Sequence, residues 1–236
     1  MRENEHGLII AAQAKSALAP IGYRRKGRSR LWLADHGYWL GLVEFQPSGF
    51  SRGTYCNVSV HWLWGLTQAL TFDFGFRRVG SYAPFSQISY GELNRVNAAE
   101  QVLKREAFTT NVAEMAQQAA EVSEQFRRKL TSVNAVAALL LKDEESSERE
   151  GRRGDWGAFH AGVACGLVGD AETAERMLRR VILVETSDPP FVVERAAAAR
   201  RMLDVLDHPP AFAAQIQDLI DNQRTFFKLP HYQLEP

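Results

Sequence analysis

Cysteine is scarce in this chain and net charge is absent. The two cysteines, Cys56 and Cys165, stand among apolar or small residues. They read as buried free thiols and exclude the disulfide framework of a small secreted scaffold. Lys and Arg total 28 and Asp and Glu total 28, so no overall field draws the chain to nucleic acid or to a membrane surface. No run approaches the ~20 apolar residues of a membrane span, and the opening MRENEHGLIIAAQAKS is too short in apolar residues for a signal peptide. These absences lead us to expect a soluble, cytoplasmic protein with no membrane partner.

Motifs that would announce chemistry are missing as well. The six histidines (His6, His36, His61, His160, His208 and His231) show no paired spacing and have no cysteine partner, so no metal is expected. Glycine-rich phosphate loops of the GxxxxGK[ST] or GxGxxG kind are absent, and no cofactor is expected. No nucleophile stands in a recognisable setting, so no catalytic residue is assigned.

What the chain does have is concentrated at 22–63, where polar and apolar residues alternate. A helix is expected over 8–18, where Leu8, Ala11, Ala12, Lys15 and Leu18 keep a helical period that Pro20 and Gly22 end. Strands are expected at 23–26, 28–34, 38–46 and 54–63, with a fifth at 70–74. Asp35-His36-Gly37 supplies a tight turn and 48–53 a loop. Short strands on short turns imply an antiparallel meander. In the fourth strand Cys56, Val58, Val60 and Trp62 share one face, and Tyr55, Asn57, Ser59 and His61 share the other. That pattern predicts a sheet with one apolar, covered face and one polar, solvated face.

Further on, 75–91 reads as loop or irregular edge, and 92–104 as helix. A short extended piece is expected at Phe108, before a helix over 112–130 that is capped by Thr109-Thr110-Asn111. Thr131-Ser132 starts another helix through Leu141. Beyond 155 the pattern is wholly helical, with stops at Gly169-Asp170 and helix-opening prolines at Pro189-Pro190 and Pro209-Pro210. The fold expected is α+β: a sheet domain over 1–142, a charged linker or bend over 143–154, and a helical domain over 155–236. Charge divides with it. Through residue 80 there are ten Lys/Arg against five Asp/Glu, and after it eighteen against twenty-three.

Two family resemblances attach to these residues. Gly22-Tyr23-Arg24-Arg25-Lys26-Gly27, then Phe45-Gln46-Pro47-Ser48, then Tyr55-Cys56-Asn57-Val58 resemble the motifs of a bacterial family, domain of unknown function 4304. That resemblance covers roughly 8–130 and implies a fold but no activity. AGVACGLVGDAETAERMLRRVI is similar to one tetratricopeptide-type hairpin, with a small-residue helix, a Gly-Asp turn and Ala174 near the start of the next helix.

Two constellations are candidates for binding. Arg25, Arg28 and Arg30, with Arg24 and Lys26, form a basic run that could contact phosphates, although alternation sends its members to both faces of a strand. Glu44, Gln46, Asn57 and His61 share the polar sheet face, where a carboxylate beside an imidazole would make an acid–base pair. The function expected is a non-enzymatic protein-interaction or accessory module, more narrowly one serving a bacterial defence or toxin system. Nucleic-acid binding through the basic strands is the first alternative. A small hydrolase or transferase centred on Glu44 and His61 is the second.

Overall fold

A computed structural model of the chain describes residues 5–48, 52–86, 98–151, 154–183 and 190–235. Helix α1 (Glu5–Leu18) leads through a single 3-10 turn (Ala19–Ile21) into five strands: β1 (Arg24–Arg25), β2 (Leu31–Asp35), β3 (Trp39–Pro47), β4 (Arg52–Trp62) and β5 (Phe74–Ser86). They form one antiparallel sheet in the order β1-β2-β3-β4-β5, the meander expected from short turns. Among the described residues six helices follow: α2 (Ala98–Lys129), α3 (Val133–Arg149), α4 (Asp155–Leu167), α5 (Ala171–Leu183), α6 (Pro190–Leu203) and α7 (Pro209–Phe227). The chain is α+β with a helical C-terminal part. Among the described residues no helix is long and apolar enough to cross a membrane.

The chain divides into two compact units. One holds residues 1–36, 40–60 and 75–126; the other holds 37–39, 61–74 and 127–236. The charged stretch beginning at Lys142 continues α3 as helix up to Arg149.

In the first unit the pairing of Trp32 with Val43 and of Ala34 with Gly41 fixes which residues share a face. Trp32, Ala34, Val43, Phe45, Cys56, Val58 and Val60 are buried, as are Ile10, Ala14 and Leu18 of α1. Helix α2 contributes Phe108, Val112, Met115, Ala116 and Ala119 to the same core. The Tyr23 hydroxyl bonds Ser123 of α2, and burial, the larger effect, pushes its pKa up to about 12.

Two expectations fail here. The fifth strand is Phe74–Ser86, not 70–74, so most of the stretch read as irregular is sheet. Gly75 and Gly80 hide it: both adopt positive φ (66° and 67°), and glycine in such a segment reads as turn rather than strand. There is also no extended piece at Phe108, since α2 runs unbroken through Thr109-Thr110-Asn111. Thr109 satisfies its hydroxyl by donating to the Arg105 carbonyl one turn back (2.8 Å), so it caps nothing. Parts of the loop at 48–53 and of the segments at 75–91, 92–104 and 143–154 lie outside the described residues.

In the second unit the boundaries follow local chemistry. Ser132 caps α3 by accepting from the Ala135 amide (3.2 Å), and Asp170 caps α5 by accepting from the Thr173 amide (3.1 Å). Helix α3 packs on α4, α4 on α5 and α5 on α6, with α7 also against α4. The small residues of α4 permit this closeness: a Cβ at Gly162 would sit 2.9 Å from Leu178 Cγ.

Candidate functional site

Glu44 and Gln46 of β3 come together with Asn57 of β4; Gln46 is exposed and Glu44 half-buried, but the polar residues of β4 are not in solvent. Asn57 is 1% exposed, and Ser59 and His61 are fully buried. The expectation of a solvated polar face is therefore overturned for β4. Alternation reports which side chains share a face; it carries no information about what covers that face. Polar groups are kept there by hydrogen bonds. Asn57 Nδ2 donates to Gln46 Oε1 at 2.9 Å and lies 3.5 Å from Glu44 Oε2. Among the described residues Asn57 Oδ1 has no hydrogen-bond partner.

His61 does not pair with Glu44. Its Nδ1 lies 2.9 Å from Asp73 Oδ2 and 3.1 Å from Thr71 Oγ1. A carboxylate can only accept, so Nδ1–H is the donor to Asp73. The same Asp73 oxygen accepts from the Trp62 amide at 2.8 Å. The imidazole meets the Phe227 ring edge-on, 5.8 Å between centroids. Burial opposes the charge on Asp73. The hydrogen bond from His61, the fields of His160 and His61, and a bond from Thr71 outweigh it and hold the carboxyl below its usual range.

Beside this pair runs a stack of rings. Tyr38 lies parallel to Trp64 at 5.5 Å, and Trp64 parallel to Trp62 at 5.0 Å. Trp64 Nε1 donates to His160 Nδ1 at 3.1 Å. His160 is enclosed, and burial drives its pKa down to about 4, assisted by the positive fields of His61 and Arg195 against the opposing field of Asp73. Asp73, Thr71, Trp64 and His160 are the residues that sequence reasoning missed. No motif joins His61 to a carboxylate twelve positions later in an irregular segment.

Chemically the cluster is a closed polar core. The side chains of His61 and Asp73 are 0% and 1% exposed, so neither meets solvent. The neighbouring hollow lined by Gly65, Thr67, Trp156, His160 and Arg195 encloses about 30 Å³, room for little more than a water molecule. Among the described residues no three His, Cys, Asp or Glu side chains are placed to hold a metal ion.

The basic run is spread as its alternation suggests. Arg24 pairs with Leu33 and Arg25 with Trp32, so neighbouring guanidiniums leave opposite faces of an edge strand two residues long. Arg25 turns back on its own loop, with Nε donating to the Ser29 carbonyl (2.7 Å) and Nη2 to the Arg28 carbonyl (3.0 Å). Arg30 contacts the His6 ring, and Arg28 is exposed. A wide, shallow groove of about 480 Å³ is lined by Lys26, Ser29, Arg30, Leu31, Glu44 and Pro47. Its cations are offset by Glu44, a poor surface for a polyanion. We therefore expect no gel shift of duplex or single-stranded DNA or RNA at about 50 mM salt; a shift that vanishes as salt rises would contradict this.

No family model, no curated protein and no solved structure matches this chain.

Proposed function

We propose that the chain is a protein-interaction module that performs no catalysis. The observation that carries this reading is the series of helices α3 to α6, each packed on the next. Helical arrays of this kind expose extended surfaces to partners. At the α5–α6 end, Leu183 is 82% exposed, Phe191 56% and Val193 44%. Large apolar side chains left this exposed are a feature of interaction surfaces where they are contiguous.

The acid–base alternative loses its support because each group it needs is committed elsewhere: His61 to Asp73, and Glu44 to the neighbourhood of Asn57. The test is a photo-crosslinking side chain at Val193 of the full chain, expressed in its source cell. One discrete adduct with a different protein, lost on Phe191→Asp, is the expected result. Absence of any adduct, or an adduct only with a second copy of the chain, would overturn the reading.

A further inference from the structure

The segment after α7 behaves as a ligand bound to its own chain. Helix α7 stops at Lys228, which takes the left-handed conformation (φ 58°) that only glycine adopts without cost. The following residues, 229–235, have no regular secondary structure, yet they are held like a docked peptide. Arg224 Nε donates to the Pro230 carbonyl, and Nη1 of the same side chain donates to the Gly37 carbonyl. Gln217 Nε2 donates to the Tyr232 carbonyl at 2.8 Å, and the Leu234 amide donates to Gln217 Oε1 at 2.7 Å.

Two side chains of the segment point inward in alternation. The Tyr232 ring sits against the Gly37-Tyr38 turn, where a Cβ on Gly37 would collide with the ring carbon Cε2. Leu234 is 6% exposed, while the side chain of His231 between them and α7 is 72% exposed. Arg224, itself 4% exposed, also stacks over Tyr232 at 5.5 Å.

Main-chain groups captured by fixed side chains, with pockets for every second residue, are how proteins recognise extended peptides from other chains. We propose that the groove formed by Gln217, Arg224, Gly37 and Tyr38 is a peptide-recognition site, closed in cis by 229–235 and opened to a partner's extended segment of the pattern aromatic-x-aliphatic. The cis occupant supplies the pattern through Tyr232-Gln233-Leu234. The three main-chain contacts do not depend on its sequence. The hinge is the strained Lys228. A segment tethered by so few residues competes at an effective concentration near millimolar, so a partner must bind in the micromolar range or better, or arrive with a second contact.

This inference rests on the protein-interaction reading for the identity of the occupant but not for the groove. The crosslinking experiment addresses the α5–α6 surface, so the two can fail separately. The test uses the full chain with Tyr232→Ala and Leu234→Ala, which removes both inward side chains and leaves the cis segment only its main-chain contacts, and a fluorescent peptide of residues 229–236 as the probe. Polarisation is expected to show saturable binding to the opened variant, binding to the unaltered chain at least roughly 100-fold weaker, and loss of binding when Gln217→Ala is added. An opened variant that keeps its helical circular dichroism and does not bind the peptide overturns the proposal. So does an unaltered chain that dimerises by exchanging the segment, which would make a second copy the occupant. Should the opened variant not fold, hydrogen exchange on the unaltered chain decides. The Leu234 amide is expected to exchange through local opening, well ahead of the amides of α4; exchange of both at one rate overturns the proposal.

Discussion

Asp73→Ala is expected to lower the free energy of unfolding by about 2–4 kcal/mol, from a buried donor left unsatisfied at about 1–3 kcal/mol, a second left with a poorer acceptor, and the cavity. Its carboxylate accepts from both the His61 imidazole and the Trp62 amide, and its side chain is 1% exposed. Deletion would leave the buried Trp62 amide with no acceptor, the His61 N–H with only Thr71 Oγ1 to turn to, and a void beside the Trp62–Trp64 stack. A loss of this size is a large part of the 5–15 kcal/mol that typical domains possess. Urea unfolding followed by tryptophan fluorescence would measure it, the reporters being the rings next to the lesion. Glu44→Gln is the control. Glu44 is only half-buried and its contact with Asn57 is long, at 3.5 Å, so its effect should stay within about 0.5 kcal/mol. Equal losses from the two substitutions would show that His61 draws on Glu44 after all.

The contrast between those two carboxylates shows what was legible in the sequence. Strands β2 to β4 and the turn at Gly37 could be read because alternation and turn chemistry are local. The helix starts at Ser132 and Pro209 could be read for the same reason. Glu44 and Asn57 were placed on one face correctly, since period-two phasing needs only the strand itself. That Asn57 and His61 would be buried could not be read: the cover is not encoded in the strand. Asp73 was out of reach because its role depends on a segment without periodicity returning to the end of β4. Strand β5 was lost to its own positive-φ glycines, and α2 was cut short in the reading because Thr109 looks like a cap when its helical back-bond is unknown. In each case local signals stated what a residue can do, and packing decided what it does.

Acid should weaken the second unit through His160, and the direction follows from its surroundings. The imidazole is enclosed by Trp64, Trp156 and Phe159, and the ionisable groups that act on it are Asp73, His61 and Arg195. Its pKa falls from 6.5 in an ordinary setting to about 4, chiefly because burial penalises the charged ring. A depressed histidine contributes stability that is fully present above pH 6.5 and is lost progressively as the pH falls toward 4, because the unfolded chain takes up the proton first. A shift of this size corresponds to a loss on the order of 3 kcal/mol. Protonation would also turn Nδ1 from acceptor to donor, against the Trp64 N–H that now points at it. Asp73, whose pKa is held low, adds a further loss at more acid pH, below the usual carboxylate range. His160→Gln keeps an acceptor for Trp64 and removes the titration. Thermal unfolding of the variant should therefore show a much flatter dependence between pH 6.5 and 4 than the unaltered chain, together with some loss of stability at neutral pH from imperfect packing. Parallel pH profiles for the two proteins would place the acid sensitivity elsewhere in the chain.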